Sequence, residues 1–275
     1  MNFVQRLEQA WAGGDTLLCV GLDPDPARLP EHLANADYPL FEFGRAIVDA
    51  TADLVCAFKP QIAYYAAARA EDQLEMTIAH IRRHHPALPV ILDAKRGDIG
   101  STAKMYAREA FERYQADAVT VNAYLGSDAL APFLAHADKG VIVLCRTSNP
   151  GAREVQDIES QGRKLYQIIA EKAAREWNSK GNVLLVVGAT YPEELAQIRA
   201  IVGDMPILVP GVGAQGGDIA AVVANGATAD GTGLIISTSR AVLYAGGGTD
   251  YAEAARSAAQ KLRDDINACR KRNGA

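Results

Sequence analysis

A strand, a charged turn and the start of a helix follow one another in Val90-Ile-Leu-Asp-Ala-Lys-Arg-Gly-Asp-Ile-Gly-Ser-Thr102. Side chains alternate faces along an extended strand, so Asp93 and Lys95 should point the same way, about 6.5–7 Å apart along the backbone. Residues 90–92 are too apolar for a surface strand, which places this shared face inside the fold or on the floor of a pocket. A buried Asp–Lys pair that only fixes geometry is an equal alternative on this stretch alone.

The turn after this strand also carries a charge. Gly97 should end the strand, so Asp98 is expected beyond the strand end rather than on its face. The following Gly100-Ser-Thr102 predicts a serine or threonine cap that opens a helix over residues 103–113.

Short runs rich in Val, Ile and Leu recur along the chain, and a segment of helical composition follows each. Apolar runs without alternation indicate strands covered on both faces, and therefore a parallel sheet. Eight such units predict an α/β fold of the (β/α)8 TIM barrel type, with residues 1–275 as a single domain, because such barrels commonly span about 250 residues. No G-x-G-x-x-G follows the first run, which weakens the alternative of a dinucleotide-binding sheet. The expected strands are 17–23, 54–60, 90–96, 118–124, 140–148, 183–190, 206–213 and 233–240, and the expected helices include 41–53, 62–84, 103–113, 161–177, 193–202, 218–225 and 251–270.

Composition limits the classes of function. The chain is 49% hydrophobic and 22% charged, without an apolar run near the roughly 18 residues of a membrane span. The start shows no secretory signal, so we expect a soluble cytoplasmic protein without a membrane partner. A net charge of −5 argues against a nucleic-acid partner. Four cysteines without a CxxC pair are expected to be reduced packing residues: Cys19, Cys56, Cys145 and Cys269.

Polar residues follow the ends of the expected strands. In barrels of this kind the active site lies at the carboxyl ends of the strands, so these side chains should meet on one rim. Asp23 could instead cap its own loop as an Asx turn, and Lys59 could be a lysine that snorkels to solvent. The rim residues are Asp23, Lys59, Asp93, Lys95, Asn122, Ser148, Thr190, residues 210–215 and residues 237–240.

Two loops on this rim suggest a phosphate site. The seventh strand ends in Val209-Pro-Gly-Val-Gly-Ala-Gln-Gly-Gly-Asp218, and glycines allow backbone N–H groups to approach an anion. Barrels often bind phosphate between the loops after strands seven and eight, where Arg240 would supply a guanidinium. The polar loop after the fifth strand, starting at Ser148, is either a lid or a floppy connection and could hydrogen-bond a flat heterocycle.

A histidine pair marks the end of the long helix expected over residues 62–84. His80 and His84 have the i, i+4 spacing of metal ligands, but no Glu or Cys completes a site in the sequence. Solvated histidines at the negative end of the helix dipole are the favoured interpretation, and no metal site is expected.

With these motifs in place, the chain resembles the orotidine 5′-phosphate decarboxylase family, and within it the longer bacterial branch. The resemblance covers residues 17–244 and depends on Asp93-Ala-Lys-Arg-Gly-Asp-Ile99, Ser148-Asn-Pro-Gly-Ala152 and the glycine-rich loop before Asp218. It implies cofactor-free decarboxylation of a small-molecule nucleotide, orotidine 5′-phosphate, to uridine 5′-phosphate in de novo pyrimidine biosynthesis.

The resemblance also implies roles for single residues. Lys95 would protonate C6 within a charged array, Asp93 would lie against the departing carboxylate, and Asp98 would reach into the neighbouring subunit's site, which implies a homodimer with shared active sites. The ribose hydroxyls would be held by Lys59 and Asp23. The remaining substrate contacts would come from Thr102 of the second chain, from Ser148 at the pyrimidine, and from Pro210, Gly213, Gln215 and Arg240 around the phosphate.

Three other readings stay open. Related sugar-phosphate enzymes, such as hexulose-phosphate synthase or a keto-acid sugar-phosphate decarboxylase, share the Asp-x-Lys-x-x-Asp strand end but recruit Mg²⁺ through further acidic strand ends. Here Lys59 stands at the second strand end, which favours the metal-free reaction. A Schiff-base aldolase using Lys59 or Lys95 is the second reading, and a non-catalytic barrel that binds a nucleotide phosphate is the third.

Overall fold

Eight parallel strands form the centre of the structure, a computed structural model that describes residues 1–212 and 217–273. They are β1 (Leu18–Leu22), β2 (Ala57–Pro60), β3 (Ile91–Arg96), β4 (Ala118–Val121), β5 (Gly140–Arg146), β8 (Val183–Val187), β9 (Ile207–Pro210) and β10 (Leu234–Thr238), while β6 (Glu159–Ser160) and β7 (Arg163–Lys164) pair as a separate antiparallel hairpin. The sheet order is β2-β1-β10-β9-β8-β5-β4-β3. Parallel bridges from Phe58 to Val90 and from Gln61 to Asp93 join the two ends. The predicted (β/α)8 barrel is therefore confirmed.

Helices precede the first strand, connect successive strands and follow the last strand. They are α1 (Phe3–Gly14), α2 (Pro39–Thr51), α3 (Ile62–Ala67), α4 (Glu71–His84), α5 (Gly100–Arg108), α6 (Ser127–Leu134), α7 (Ala152–Gln156), α8 (Leu165–Lys172), α9 (Pro192–Val202), α10 (Ile219–Gly226), α11 (Arg240–Leu243) and α12 (Tyr251–Asn273). Single π-helical turns, Glu109–Arg113 and Ala173–Trp177, extend α5 and α8. Among the described residues, every helix is too short or too polar to cross a membrane.

Two local predictions were wrong. The helix expected over residues 62–84 is divided into α3 and α4, because Arg69 adopts a left-handed backbone with φ of 55° between them. The helix after β3 begins earlier than expected, at Gly100, and its N-cap is Ile99, which makes no side-chain cap. The serine or threonine cap expected there is therefore absent, and Thr102 lies on the helix surface instead.

The first helix covers the amino-terminal ends of the strands. Its buried face consists of Phe3, Leu7 and Trp11, spaced four residues apart on one side of α1. Gly140, the first residue of β5, has no room for a Cβ because the Phe3 ring occupies that space. Arg6 donates to the Pro86 carbonyl at 2.9 Å, ahead of β3. The opposite, carboxyl end of the barrel remains for the site.

The four cysteines are free thiols, as the sequence predicted. Cys19, Cys56 and Cys145 are buried in the strand region and Cys269 is partly buried on α12. Burial raises the pKa of Cys19 to about 12, since the Lys59 ammonium nearby only partly opposes the cost of desolvating a thiolate. These thiols therefore pack as small apolar side chains.

Candidate active site

Asp93 lies between two ammonium groups at the carboxyl end of the barrel. Lys59 Nζ is 3.1 Å from Asp93 Oδ2, and Lys95 Nζ is 2.6 Å from Asp93 Oδ1. The side chains of Lys59 and Asp93 are only 5% and 10% exposed, whereas Lys95 is 46% exposed. The two strands thus bring together three of the residues that the sequence singled out, and Lys95 is the one whose ammonium faces open space.

A threonine that the sequence reading missed holds this array in place. Thr120 on β4 donates its hydroxyl to Asp93 Oδ1 at 2.9 Å and accepts from the backbone N–H groups of Ala94 and Lys95, each also at 2.9 Å. The pairing of β3 with β4 is irregular here, and Lys95 has a left-handed φ of 47°. The Thr120 hydroxyl therefore stabilises the strained backbone at Lys95, and this backbone conformation directs the Lys95 side chain toward Asp93. A polar residue inside the apolar run of β4 was the signal in the sequence.

The charges in this array support one another. Burial alone would raise the pKa of Asp93, but the Lys59 and Lys95 ammonium groups outweigh burial and hold that pKa well below its ordinary range. Burial alone would lower the pKa of Lys59, but the carboxylates of Asp93 and Asp23 outweigh it and raise that pKa above its ordinary value. Asp93 and Lys59 are therefore both ionised at neutral pH.

Asp23 follows β1 and is held by residues at the two ends of α11, the short helix after the last strand. Ser239 donates its hydroxyl to Asp23 Oδ2 at 2.6 Å, and Tyr244 donates to the Asp23 carbonyl at 3.3 Å. A Cβ at Gly21 would collide with the Ser239 side chain, so glycine is required for this approach. The other carboxylate oxygen, Asp23 Oδ1, is buried without a partner among the described residues, and a ligand hydroxyl would satisfy it.

Asp23, Lys59 and Asp93 line a cavity of about 380 Å³ at the mouth of the barrel, a volume suited to a small-molecule ligand. Arg240, the first residue of α11, is exposed at its edge and forms no ion pair with another described residue. Its guanidinium is therefore available to an anion. Gly213 and Gln215 lie outside the described residues, and a bridge between Val212 and Gly217 joins the two flanks of that segment. The lining consists of Asp23, Lys59, Tyr64, Asp93, Pro210, Gly211, Val212, Ser237, Thr238, Ser239 and Arg240.

The loop after β5 is anchored by a buried arginine. Arg146 has no solvent exposure, and its Nη1 donates to Gln156 Oε1 at 3.3 Å. Gln156 in turn accepts from Thr147 N–H at 2.9 Å and donates to Thr147 Oγ1 at 2.8 Å. Ser148 is half-buried at the root of the loop, packed so closely over Gly188 that a Cβ at that glycine would not fit. The loop after β5 is therefore held in a defined conformation by these contacts and is not a floppy connection.

Asp98 and Thr102 do not join the cavity within one chain. Asp98 Oδ1 accepts from the Ile99 N–H at 2.8 Å, and Asp98 forms no ion pair with any described residue. Thr102 is exposed on the first turn of α5. Large apolar side chains with substantial exposure lie in the segments around them: Ile99 at 59%, Met105 at 52%, Tyr124 at 81% and Leu125 at 45%.

Comparison with known proteins agrees with this geometry. Residues 16–257 match the model of the Orotidine 5'-phosphate decarboxylase / HUMPS family. Proteins named orotidine 5'-phosphate decarboxylase from Ralstonia pickettii and Azoarcus sp. are 64% and 63% identical over 97% and 98% of this chain, and over 98% and 100% of their own lengths. The solved structure of Leishmania donovani OMP decarboxylase is 37% identical, with a TM-score of 0.85 over 98% of this chain and 99% of its own.

The structural match extends to a larger protein. Leishmania donovani UMP synthase aligns with 98% of this chain at 39% identity and a TM-score of 0.87, and the match covers 57% of that longer chain. Fold, sequence and the charged array point to the same relationship. This chain belongs to the Orotidine 5'-phosphate decarboxylase / HUMPS family.

Proposed function

We propose that the protein is an orotidine 5′-phosphate decarboxylase, a carboxy-lyase that converts orotidine 5′-phosphate to uridine 5′-phosphate in de novo pyrimidine biosynthesis. The observation that carries this proposal is the Lys59–Asp93–Lys95 array at the barrel mouth, with Asp93 within 3.1 Å of both ammonium groups. It is supported by relatives of that name at 60% identity or more over nearly the whole chain.

The chemical problem is the charge left behind when CO₂ departs. The bond between C6 and the carboxylate breaks, its electron pair stays on C6 in the ring plane, and no ring carbonyl is conjugated with it. A fixed ammonium near C6 attracts that charge by about 4 kcal/mol at 4 Å and an effective dielectric near 20. Lys95, partly exposed and tied to Asp93, fits this position and would then transfer a proton to C6.

The neighbouring groups would orient the substrate. Asp93 would lie against the departing carboxylate, where its own ionised state is held by Lys59 and Lys95. Lys59 and Asp23 Oδ1, which has no partner in the described part of the chain, would bind ribose hydroxyls, since both side chains line the cavity. These contacts would hold the substrate in one orientation relative to Lys95. Such positioning lowers the entropic part of the activation barrier and so raises the reaction rate.

The phosphate would bind at the opposite edge of the cavity. Arg240 offers a guanidinium without a protein partner among the described residues, and Pro210 also lines the cavity. We assign Gly213 and Gln215 to the same phosphate site, and Ser148 to the pyrimidine. The free energy of phosphate binding can then drive closure of the β5 loop and exclude water from the site. Part of that binding energy would therefore raise kcat rather than only lower KM.

A homodimer would complete the site. Asp98 and Thr102 stand outside their own cavity, and the exposed Ile99, Met105, Tyr124 and Leu125 form an apolar surface in the same region. Such a surface is suited to a second copy, which would place Asp98 and Thr102 in the neighbouring active site.

The decisive experiment follows the absorbance of orotidylate with purified protein in EDTA. The proposal requires metal-independent loss of that absorbance, because no acidic residue replaces Lys59 at the end of β2. Turnover of a sugar phosphate that depends on Mg²⁺, without turnover of orotidylate, would instead assign the chain to the sugar-phosphate branch. Covalent trapping by borohydride would indicate a Schiff-base mechanism.

We place the enzyme in the cytoplasm. The four free cysteines, three of them buried, suit a reducing compartment. Fractionation of cells with an antibody against the protein would test this placement.

A further inference from the structure

Three side chains from two helices meet on the surface far from the barrel mouth. Asp49 comes from α2, His80 from α4, and His85 is the residue that caps the end of α4. Asp49 Oδ1 is 2.7 Å from His80 Nε2 and 3.1 Å from His85 Nε2, so both imidazoles point to one carboxylate oxygen. The sequence suggested only His80 and His84 and predicted no metal site there, because Asp49 is distant along the chain.

This cluster is separate from the proposed active site. α2 ends at Thr51, ahead of β2, and α4 ends at His84, ahead of β3. Both helix ends therefore lie at the amino-terminal ends of the strands, whereas the cavity lies at the carboxyl ends. A ligand at the cluster would not contact the substrate.

We propose that Asp49, His80 and His85 form a binding site for a divalent transition-metal ion of the Zn²⁺ type. Two imidazole nitrogens and a carboxylate oxygen are a ligand set that such ions accept, with a water molecule in the fourth position. Neighbouring ligands around tetrahedral zinc are about 3.3 Å apart for bonds of 2.0–2.1 Å. The observed 2.7 and 3.1 Å would therefore open by about 0.6 and about 0.2 Å, and all three ligand atoms already lie within 4.8 Å of one another.

Exposure and the dipole of α4 suit a metal ion at this position, and the Arg45 guanidinium is the cation that also interacts with Asp49. The side chains of His80 and His85 are 12% and 23% exposed, and that of Asp49 is 43% exposed, so the ligands are held but reachable from solvent. The carbonyl end of α4 adds its negative dipole.

The nearest alternative ligand supplies a control. The ring of His84 lies 4.5 Å from that of His80, centre to centre, but its nitrogens are not part of the three-residue cluster. His32 is a second control, because it lies against Tyr251 on another part of the surface.

The test is isothermal titration of the full-length, untagged protein with ZnCl₂ in a buffer free of phosphate and chelators. We expect one saturable site in the wild type. His80→Gln and His85→Gln should each weaken it by more than the roughly 10-fold cost of losing an outer-shell partner. His84→Gln and His32→Gln should bind as the wild type does, and zinc should raise the melting temperature of the wild type but not of the His80→Gln/His85→Gln double variant.

The heat of zinc binding is measured without any catalytic turnover. The result therefore does not depend on whether orotidylate is the substrate. The proposal is overturned when the wild type shows no saturable binding at millimolar zinc, or when the double variant binds as tightly as the wild type. Equal loss in His84→Gln would overturn the ligand assignment. Circular dichroism spectra that match the wild type confirm that each surface variant is folded.

Discussion

Lys59 Nζ lies 3.1 Å from Asp93 Oδ2, with neither side chain more than 10% exposed. Withdrawing each ion from water costs several kcal/mol, which is offset only by close attraction and further hydrogen bonds. Lys95 and Thr120 provide those additional contacts to Asp93. The charges of Lys59, Asp93 and Lys95 are therefore coupled, and a substitution of one residue should change the pKa values and positions of the other two.

Removing the proposed proton donor should separate catalysis from binding. Lys95→Ala is expected to lose nearly all decarboxylation, because it removes the ammonium paired with Asp93 Oδ1 that we propose as the proton donor, while Lys59 stays paired with Asp93 Oδ2. Nucleotide binding should stay measurable, since Lys59, Asp23 and Arg240 remain. Single-turnover assays and titration with uridine 5′-phosphate check the two quantities. Wild-type turnover in Lys95→Ala would show that the proton-donor assignment is wrong.

Arg240→Ala should have the contrasting effect. The side chain is exposed and at the cavity edge, so its loss should leave the fold and the charged array intact. Phosphate capture should weaken, raising KM by at least about 10-fold for the loss of one charged hydrogen bond of about 1.5–3 kcal/mol. Steady-state kinetics with orotidylate measure this, and an unchanged KM would remove Arg240 from the phosphate site.

The stability provided by the buried pair should be flat across neutral pH. Asp93 has a depressed pKa, so its contribution is present above the ordinary value of 3.8 and is lost only as the pH falls through the lower folded value. Lys59 has a raised pKa, so its contribution is present below 10.5 and is lost as the pH rises through the higher folded value.

Asp93→Asn leaves Lys59 buried without its counter-ion and should cost about 3–5 kcal/mol of unfolding free energy. From the direction of the Asp93 pKa shift, this difference from the wild type should stay constant between about pH 5 and pH 7. Urea denaturation across that range measures it. A difference that shrinks by pH 6 would mean that Asp93 titrates near neutrality.

Thr120→Val should act through Lys95 rather than directly on substrate. Valine matches the shape of threonine but leaves the N–H groups of Ala94 and Lys95 and one oxygen of Asp93 without this partner. Loss of turnover with little change in KM is expected, with destabilisation of about 1–3 kcal/mol. Thr120→Ser restores the hydroxyl and should recover most of the turnover. Equal loss in both variants would indicate a packing role only.

Mixed subunits test the shared site. Lys95→Ala and Asp98→Ala chains should each be nearly inactive alone. After mixing and exchange, half of the dimers are mixed and each has one intact site, so about a quarter of wild-type turnover should return. No recovery, with exchange verified by mass spectrometry, would place Asp98 in the site of its own chain.

The sequence was sufficient for the barrel because eight unalternating apolar runs admit few other architectures, and for the array because charges at buried strand ends must meet on one rim. It was insufficient where tertiary contacts decide local structure. Arg69 interrupts a helix that composition alone would continue, and Ile99 occupies the cap expected of a hydroxyl. Thr120 was visible as a polar residue in a strand, but its three hydrogen bonds depend on an irregular register that no pattern predicts.

The first helix closes one end of the barrel, because its Phe3, Leu7 and Trp11 pack against the amino-terminal ends of the strands. With that end closed, carbon dioxide released at the barrel mouth has the same exit as the nucleotide. Where the β5 loop closes over the site as proposed above, the gas would leave only when that loop opens. Motion of that loop, which the hydrogen bond from Arg146 to Gln156 restrains, would then set the rate at which both products leave between catalytic cycles.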